Sequence, residues 1–237
     1  MNILVTGASS GIGEHIAESL VSRGHRVVLQ ARRKERLEAL AKRCEGRAVI
    51  SGGDVGVWDD CVAAVDAGVT AFGHLDALIN AAGFWVDRSL SEVAPEDLAR
   101  FVQTDVQGAL QMTRAILPHL ESRDHSRIIH INGIQGYVRQ RPPVLYTAVE
   151  SAVRGLCESL RWEAASHGIH VTLLTLGLIA NAEDPEPSKN KLWVDDQRDR
   201  LSRKEVADAV HFVLNQPSGV CVDELILTPL GQRWKWG

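Results

Sequence analysis

Seven short runs of aliphatic and β-branched residues, most of them followed by a longer stretch with helical periodicity, restrict the folds open to this chain more than any other feature. The strand candidates are Asn2–Thr6, Arg26–Ala31, Arg47–Ser51, Leu75–Asn80, Ser126–Asn132, Ile169–Leu176 and Glu224–Leu227. Helical patterns fill most of the gaps, among them Gly13–Arg23, Lys34–Lys42, Val57–Phe72, Pro95–His119, Val144–His167 and Arg203–Asn215. Such alternation builds a parallel sheet, because parallel neighbours must be joined by crossovers that lay helices on the sheet faces. The strands read as nearly continuous apolar runs, as strands buried on both faces do. At 237 residues and 45% hydrophobic, the chain fills one large core, so a single α/β domain over residues 1–237 is expected. One segment breaks the pattern. Residues 181–200, NAEDPEPSKNKLWVDDQRDR, are polar and carry two prolines, which reads as a mobile surface excursion serving as a lid.

Composition narrows the function classes. The formal net charge is -4, without the clustered basic excess of a nucleic-acid footprint. No apolar run approaches the length of a membrane span. The four cysteines, Cys44, Cys61, Cys157 and Cys221, form no CxxC pair and read as reduced. The first residues run straight into NILVTG, so no targeting segment is expected and a cytoplasmic protein is.

The stretch ILVTGASSGIGEHIAESL sets a glycine-rich turn between a strand and a helix. Gly7, Gly11 and Gly13 follow a G-x-x-x-G-x-G spacing. Glycines permit a tight turn and close backbone approach, while the helix N-terminus offers free N–H groups to a pyrophosphate. Ser9 and Ser10 add hydroxyl donors. GDV (Gly53–Val55) and NAAG (Asn80–Gly83) close the third and fourth strands.

Together these motifs resemble the short-chain dehydrogenase/reductase family, over essentially the whole chain. The family's TGxxxGxG is intact at Thr6–Gly13, its Asp-hydrophobic pair matches Asp54 and Val55, and its NNAG motif matches Asn80–Gly83 with Ala81 substituted. The resemblance implies a single Rossmann-type doubly wound parallel sheet of about seven strands, helices on both faces, with NAD(P) across the strand carboxyl ends. It implies cofactor contacts from Gly7, Ser9, Ser10, Gly11, Ile12, Gly13, Asp54, Val55, Asn80, Ala81, Gly83, Tyr146, Glu150, Gly177 and Ile179. It also implies a homodimer or homotetramer acting on a small-molecule substrate. The dinucleotide follows from the end of the second strand. An acid there would suit a free ribose hydroxyl, whereas Ala31, Arg32 and Arg33 suit a 2′-phosphate, so NADP(H) is expected.

The catalytic positions depart from the family. Its tyrosine falls on Tyr146, but the lysine four residues on falls on Glu150, the serine on Gly133 and the central-helix asparagine on Asp105. Leu176 replaces the proline before Gly177, and the threonine that usually follows falls on Asn181. A unit charge about 6 Å from the phenol, at an effective dielectric of ~20, is worth roughly 3 kcal/mol, about two pKa units. Lysine to glutamate reverses that sign, so an ionised Glu150 disqualifies Tyr146 as a phenolate base while leaving it a neutral donor to a carbonyl. Asn132 and Gln135 are the amides nearest the missing serine, although strand alternation points Asn132 away from the face of Gly133. Packing alone is a second reading of Tyr146.

Of the nine histidines, His15, His25 and His74 fall at element ends, His167 and His170 near a turn, and His130 within a strand as a core residue. None shows metal-ligand spacing, and no metal site is expected. Phe84, Trp85, Val86 and the stretch Tyr137–Pro143 border the expected nicotinamide end. Arg139 and Arg141 read as surface cations, Trp193 as part of the lid, and the terminal RWKWG as a subunit contact. Three functions stay open: an NADP(H)-dependent oxidoreductase for a carbonyl or alcohol with an atypical site, an NADP(H)-binding pseudoenzyme or partner protein, and non-redox chemistry with Glu150 as acid or base.

Overall fold

The computed structural model describes residues 1–85, 88–120, 125–137, 143–180 and 200–230. Val86, Arg139, Arg141, Asn181, Trp193, the RWKWG terminus and, apart from Arg200, the expected lid lie outside the described residues.

The elements run β1 (Asn2–Thr6), α1 (Gly11–Ser22), β2 (Arg26–Ala31), α2 (Lys34–Arg43), β3 (Ala48–Gly52), α3 (Trp58–Phe72), β4 (Ala77–Asn80), α4 (Pro95–Val102), α5 (Gly108–Leu120), β5 (Arg127–Gly133), α6 (Val144–Ala165), β6 (His170–Leu176), α7 (Arg203–Leu214) and β7 (Glu224–Leu227). They form one seven-stranded sheet in the order β3-β2-β1-β4-β5-β6-β7. Every pairing is parallel. The chain winds outward from β1 in one direction, then restarts at β4 in the other. Crossovers above β1 and β4 therefore diverge and leave a crevice at their carboxyl ends, the place where open α/β sheets take ligands.

Two apolar layers hold the helices to the sheet. One joins Ile3, Val5, Leu29 and Ile79 to Ile16 and Leu20 of α1 and Val206 and Val210 of α7. The other joins Leu4, Leu78, Ile128 and Leu173 to Val65 of α3, Met112 and Ile116 of α5 and Cys157 of α6. A third, smaller cluster joins Phe101, Leu145 and Val149, with Phe84 and Tyr146 against it. Among the described residues no helix is long and apolar enough to cross a membrane.

The expected elements recur with one internal difference. The helical pattern from Pro95 onward is not one helix: Gln103–Gln107 forms a π-helical turn between α4 and α5. The wider turn shifts the phase of the helix, which buries Thr104 and sets an oxygen of Asp105 2.6 Å from where a β-carbon on Gly83 would stand. A periodicity read at 3.6 residues per turn has no means of showing it, and π turns are frequent at functional sites. Several strands also begin a residue or two later than expected, at Ala48, Ala77, Arg127 and His170.

Candidate active site

The glycine turn is built by close approach. Gly7 has φ +67°, and a β-carbon there would stand 2.6 Å from the Ala81 carbonyl oxygen; one on Gly13 would stand 2.5 Å from that of Gly7. Thr6 Oγ1 accepts the N–H groups of Ala81 and Ala82, both at 3.0 Å, clamping the ends of β1 and β4 together. Ser10 precedes α1 in an extended conformation and its side chain does not cap the helix. The first turn of α1, including Ile12 and Gly13, is thus free of a side-chain cap, an arrangement that suits an anion.

Arg33 lies across this turn, donating to Ser9 Oγ at 3.0 Å and Ser10 Oγ at 2.5 Å. Arg32 Nη1 stands 3.8 Å from Asp54 Oδ2. A long, half-exposed pair of this kind contributes little by itself and leaves the guanidinium able to meet a second anion. Asp54 Oδ1 accepts the Gly56 N–H at 2.9 Å, while Val55 is buried against Gly108. Asn80 is directed inward: its Nδ2 donates to Thr113 Oγ1 at 3.3 Å and lies 3.4 Å from His130 Nδ1. On the far side, the Gly177 N–H donates to Leu227 and Ile179 pairs with Leu201.

Tyr146 and Glu150 share one face of α6, and both turn toward the end of β5. Glu150 is buried, and its Oε2 accepts the Gly133 N–H at 2.5 Å. The Tyr146 phenol stands beside the same carboxyl group and is coupled to it electrostatically. Removal of the carboxylate from water pushes Glu150 up to about 7, partly offset by the Gly133 N–H and by the neighbouring Tyr146 phenol. Burial, with Glu150 and Asp105 nearby, holds the Tyr146 phenol well above its usual 10. Asp105 is pushed up to about 8, by desolvation first and then by Glu150. The phenol is packed by Trp85, with ring centroids 4.5 Å apart, and by Phe101 at 6.0 Å.

Gly133 is occupied space rather than open space. A β-carbon there would stand 2.8 Å from Tyr146 Oη and 2.8 Å from Gln135 Oε1. Its backbone, at φ -92° and ψ 148°, suits any residue, so only the neighbours exclude a side chain. Asn132 is buried and donates to its neighbour's carbonyl, leaving Gln135 as the amide that reaches this place.

The raised carboxyls have a stability consequence. Glu150 binds its proton more tightly folded than unfolded, so its contribution is fully present below about pH 4.5 and is lost as pH rises through about 7. A rise of about 2.5 units corresponds to roughly 3 kcal/mol. Urea midpoints are therefore expected to fall between pH 5 and 8, and Glu150→Gln, which cannot ionise, is expected to flatten that slope.

Two features escaped sequence reasoning. The Arg33 bonds to Ser9 and Ser10 join segments 23 residues or more apart. His130, expected as a core residue, is 1% exposed, yet it faces Asn80 across the β4–β5 ladder and lines a small cavity with Asp105 and Glu150. The one available signal was a histidine inside one apolar strand and an asparagine closing another.

A family model described as short chain dehydrogenase matches residues 1–190. An uncharacterized oxidoreductase of Staphylococcus saprophyticus is 32% identical over 231 residues, covering 96% of each chain. One from Staphylococcus epidermidis is 30% identical over 227 residues with the same coverage. Among solved structures, the closed form of a serine dehydrogenase complexed with NADP+ superposes with a TM-score of 0.88 at 26% identity, covering 99% of this chain and 97% of that one. A metagenomic short-chain oxidoreductase in complex with NADP gives 0.79 at 26% identity, covering 97% and 96%.

Proposed function

The chain belongs to the short-chain dehydrogenase family, and from that premise we propose that it is an NADP(H)-dependent oxidoreductase that reduces a carbonyl through an atypical proton donor. The observation that carries this reading is the Tyr146–Glu150 pair at the mouth of an intact nucleotide crevice.

The residues present fit the cofactor. Gly7 and Gly13 keep the turn flat where a β-carbon would meet backbone, the start of α1 carries no side-chain cap, and Arg33 already rests on two hydroxyls at its edge. Arg32 and Arg33 would hold a 2′-phosphate, the first turn of α1 the pyrophosphate, and Asp54 and Val55 the adenine end. When bound, NADPH supplies a hydride to a carbonyl carbon. The remaining task for the chain is to deliver a proton to the oxygen. Arg33→Ala is expected to weaken NADPH binding about tenfold or more while leaving NADH nearly unchanged, since a lost charge-assisted bond to phosphate is worth about 1.5–3 kcal/mol. Fluorescence titration with both cofactors checks this, and equal losses for the two would overturn the assignment of Arg33.

Tyr146 serves as a neutral acid. While Glu150 is ionised, the phenol O–H points into the carboxylate and is withheld from substrate. Once Glu150 is protonated, its own O–H donates to Tyr146 Oη and releases the phenol proton toward the carbonyl. Alcohol oxidation, which needs a phenolate, is disfavoured by the same burial and charge that raise the phenol.

A second reading, a protein that binds NADP(H) without turning it over, is favoured by one observation: Tyr146 Oη lies 2.8 Å from where a serine β-carbon would sit, beside Glu150. Tight NADPH binding with no turnover across a carbonyl panel would select it.

A further inference from the structure

Tyr146 is one of four aromatic rings in continuous contact. Phe84 meets Phe101 edge to face with centroids 4.8 Å apart, Phe101 tilts against Tyr146 at 6.0 Å, and Trp85 meets Tyr146 edge to face at 4.5 Å and 72°. The members differ in burial. Phe101 is fully buried, whereas Trp85 keeps 45% of its surface exposed, and Tyr146 is its one ring partner among the described residues. A singly exposed apolar side chain is ordinary on a surface. This one is packed on the ring that carries the proposed proton donor. A carbonyl oxygen accepting a hydrogen bond from Tyr146 Oη stands about 2.7 Å from it, so the groups on its carbonyl carbon come within reach of the indole. The second observation is charge. Glu150 and Asp105 both act on the Tyr146 phenol, and no basic side chain among the described residues acts on any of these three groups. Arg100, the cation nearest this set of rings, stacks on Phe84 rather than on Trp85 or Tyr146. An anion brought to the phenol therefore meets like charge whenever either carboxyl is ionised. A unit like charge about 6 Å away, at an effective dielectric of ~20, weakens binding about 10²-fold.

We propose that Trp85 sets the substrate class: a neutral, flat aromatic aldehyde or ketone lies against the exposed indole with its carbonyl oxygen on Tyr146 Oη, and 2-oxo acids are rejected by Glu150 and Asp105. The reducible carbonyl rests on the reductase reading; the aromatic wall and the rejection of anions do not. Trp85 is thus a specificity-determining residue, and the charge that discriminates comes from the position where Glu150 stands. The titratable groups at this place are Tyr146 and Glu150 on α6, Asp105 on the π turn and His130 on β5, the last held neutral by burial. Rejection of acids accordingly strengthens as pH rises through about 7, where Glu150 ionises.

NMR titration of the NADPH-loaded chain tests this with amides, whose carbonyls accept a hydrogen bond but do not take a hydride, so binding is read without turnover. Benzamide is expected to bind about threefold to tenfold more tightly than cyclohexanecarboxamide, the usual gain of an aromatic pair. Trp85→Ala is expected to erase that preference and Trp85→Phe to keep most of it, with NADPH affinity unchanged in both. Equal binding of the two amides by the wild type, or a preference that survives Trp85→Ala, would overturn the aromatic wall. A matching loss of NADPH affinity in Trp85→Ala would give the indole to the nicotinamide instead and overturn it as well. Methyl oxanilate is expected to bind about 10²-fold more tightly than oxanilate at pH 8, with a smaller ratio at pH 5.5 and in Glu150→Gln. A carboxylate bound as tightly as its ester would overturn the rejection. The wild-type comparisons need no variant, so they decide the proposal even if a substitution at Trp85 fails to fold. If no carbonyl is reduced while the benzamide preference holds, the reductase reading falls and the aromatic site stands. If carbonyls are reduced but the preference is absent, the reductase reading stands and this proposal falls.

Discussion

Gly7→Ala is expected to lower the unfolding free energy by about 2–5 kcal/mol and to abolish measurable NADPH binding. Two independent penalties meet at this residue. Its φ of +67° puts an L-residue in the left-handed region, at about 1–2 kcal/mol. Its β-carbon would also stand 2.6 Å from the Ala81 carbonyl oxygen and 2.8 Å from the Ala82 α-carbon. Both are backbone atoms pinned by Thr6, so the clash is relieved only by parting β1 from β4, an overpacking cost of about 1–3 kcal/mol. Gly11→Ala supplies the control. Gly11 has a similar φ, +62°, with nothing within 4 Å of its would-be β-carbon, so the conformational cost alone is expected, about 1–2 kcal/mol. Urea unfolding of the two variants checks the difference, and equal losses would mean that the close approach at Gly7 is not what constrains it.

The second large effect is a gain. Gly133→Ser combined with Glu150→Lys is expected to raise carbonyl turnover about 10²-fold or more and to permit alcohol oxidation at alkaline pH. A second donor beside the developing oxyanion is worth about 10²–10³ in rate. Exchanging the carboxylate for an ammonium swings the phenol by about four pKa units at the distance and dielectric used above. The single variants are expected to fail for different reasons. Gly133→Ser puts its β-carbon 2.8 Å from a Tyr146 hydroxyl still held by Glu150, so it destabilises the fold by about 1–3 kcal/mol without acting. Glu150→Lys frees the phenol but leaves no second donor and strips the Gly133 N–H of its acceptor. Steady-state rates of the four proteins form a double-mutant cycle, and purely additive effects would show that Tyr146 and residue 133 do not compete for one place.

Much of this was legible in the chain because the signals were local. The alternation of apolar runs and helical periods specified a seven-stranded parallel sheet, and β1, β2 and β7 occur with the expected bounds. The turn at Gly7–Gly13 could be read because its physics needs only neighbouring residues. Glu150 opposite Tyr146 was visible as helical spacing, and the sign of its effect on the phenol followed from Coulomb's law. What the sequence concealed depends on distant segments or on a change of period. The π turn at Gln103–Gln107 carries no 3.6-residue signature, yet it sets where Asp105 lands. His130 joins Asp105 and Glu150 through the register Asn80↔His130, which no single strand encodes. That Tyr146 Oη stands 2.8 Å from where a β-carbon on Gly133 would be is an outcome of packing around the buried Glu150 rather than of spacing.

The central claim is that Tyr146 donates a proton under the control of Glu150, in place of a phenol activated by a cation. The most direct test is NADPH oxidation with a panel of aldehydes and ketones from pH 5 to 9, by the wild-type chain and Tyr146→Phe. The expected result is turnover that declines as pH rises through about 7, where Glu150 ionises, and that disappears in Tyr146→Phe. A rate that climbs with pH, or one that survives loss of the phenol, would contradict it.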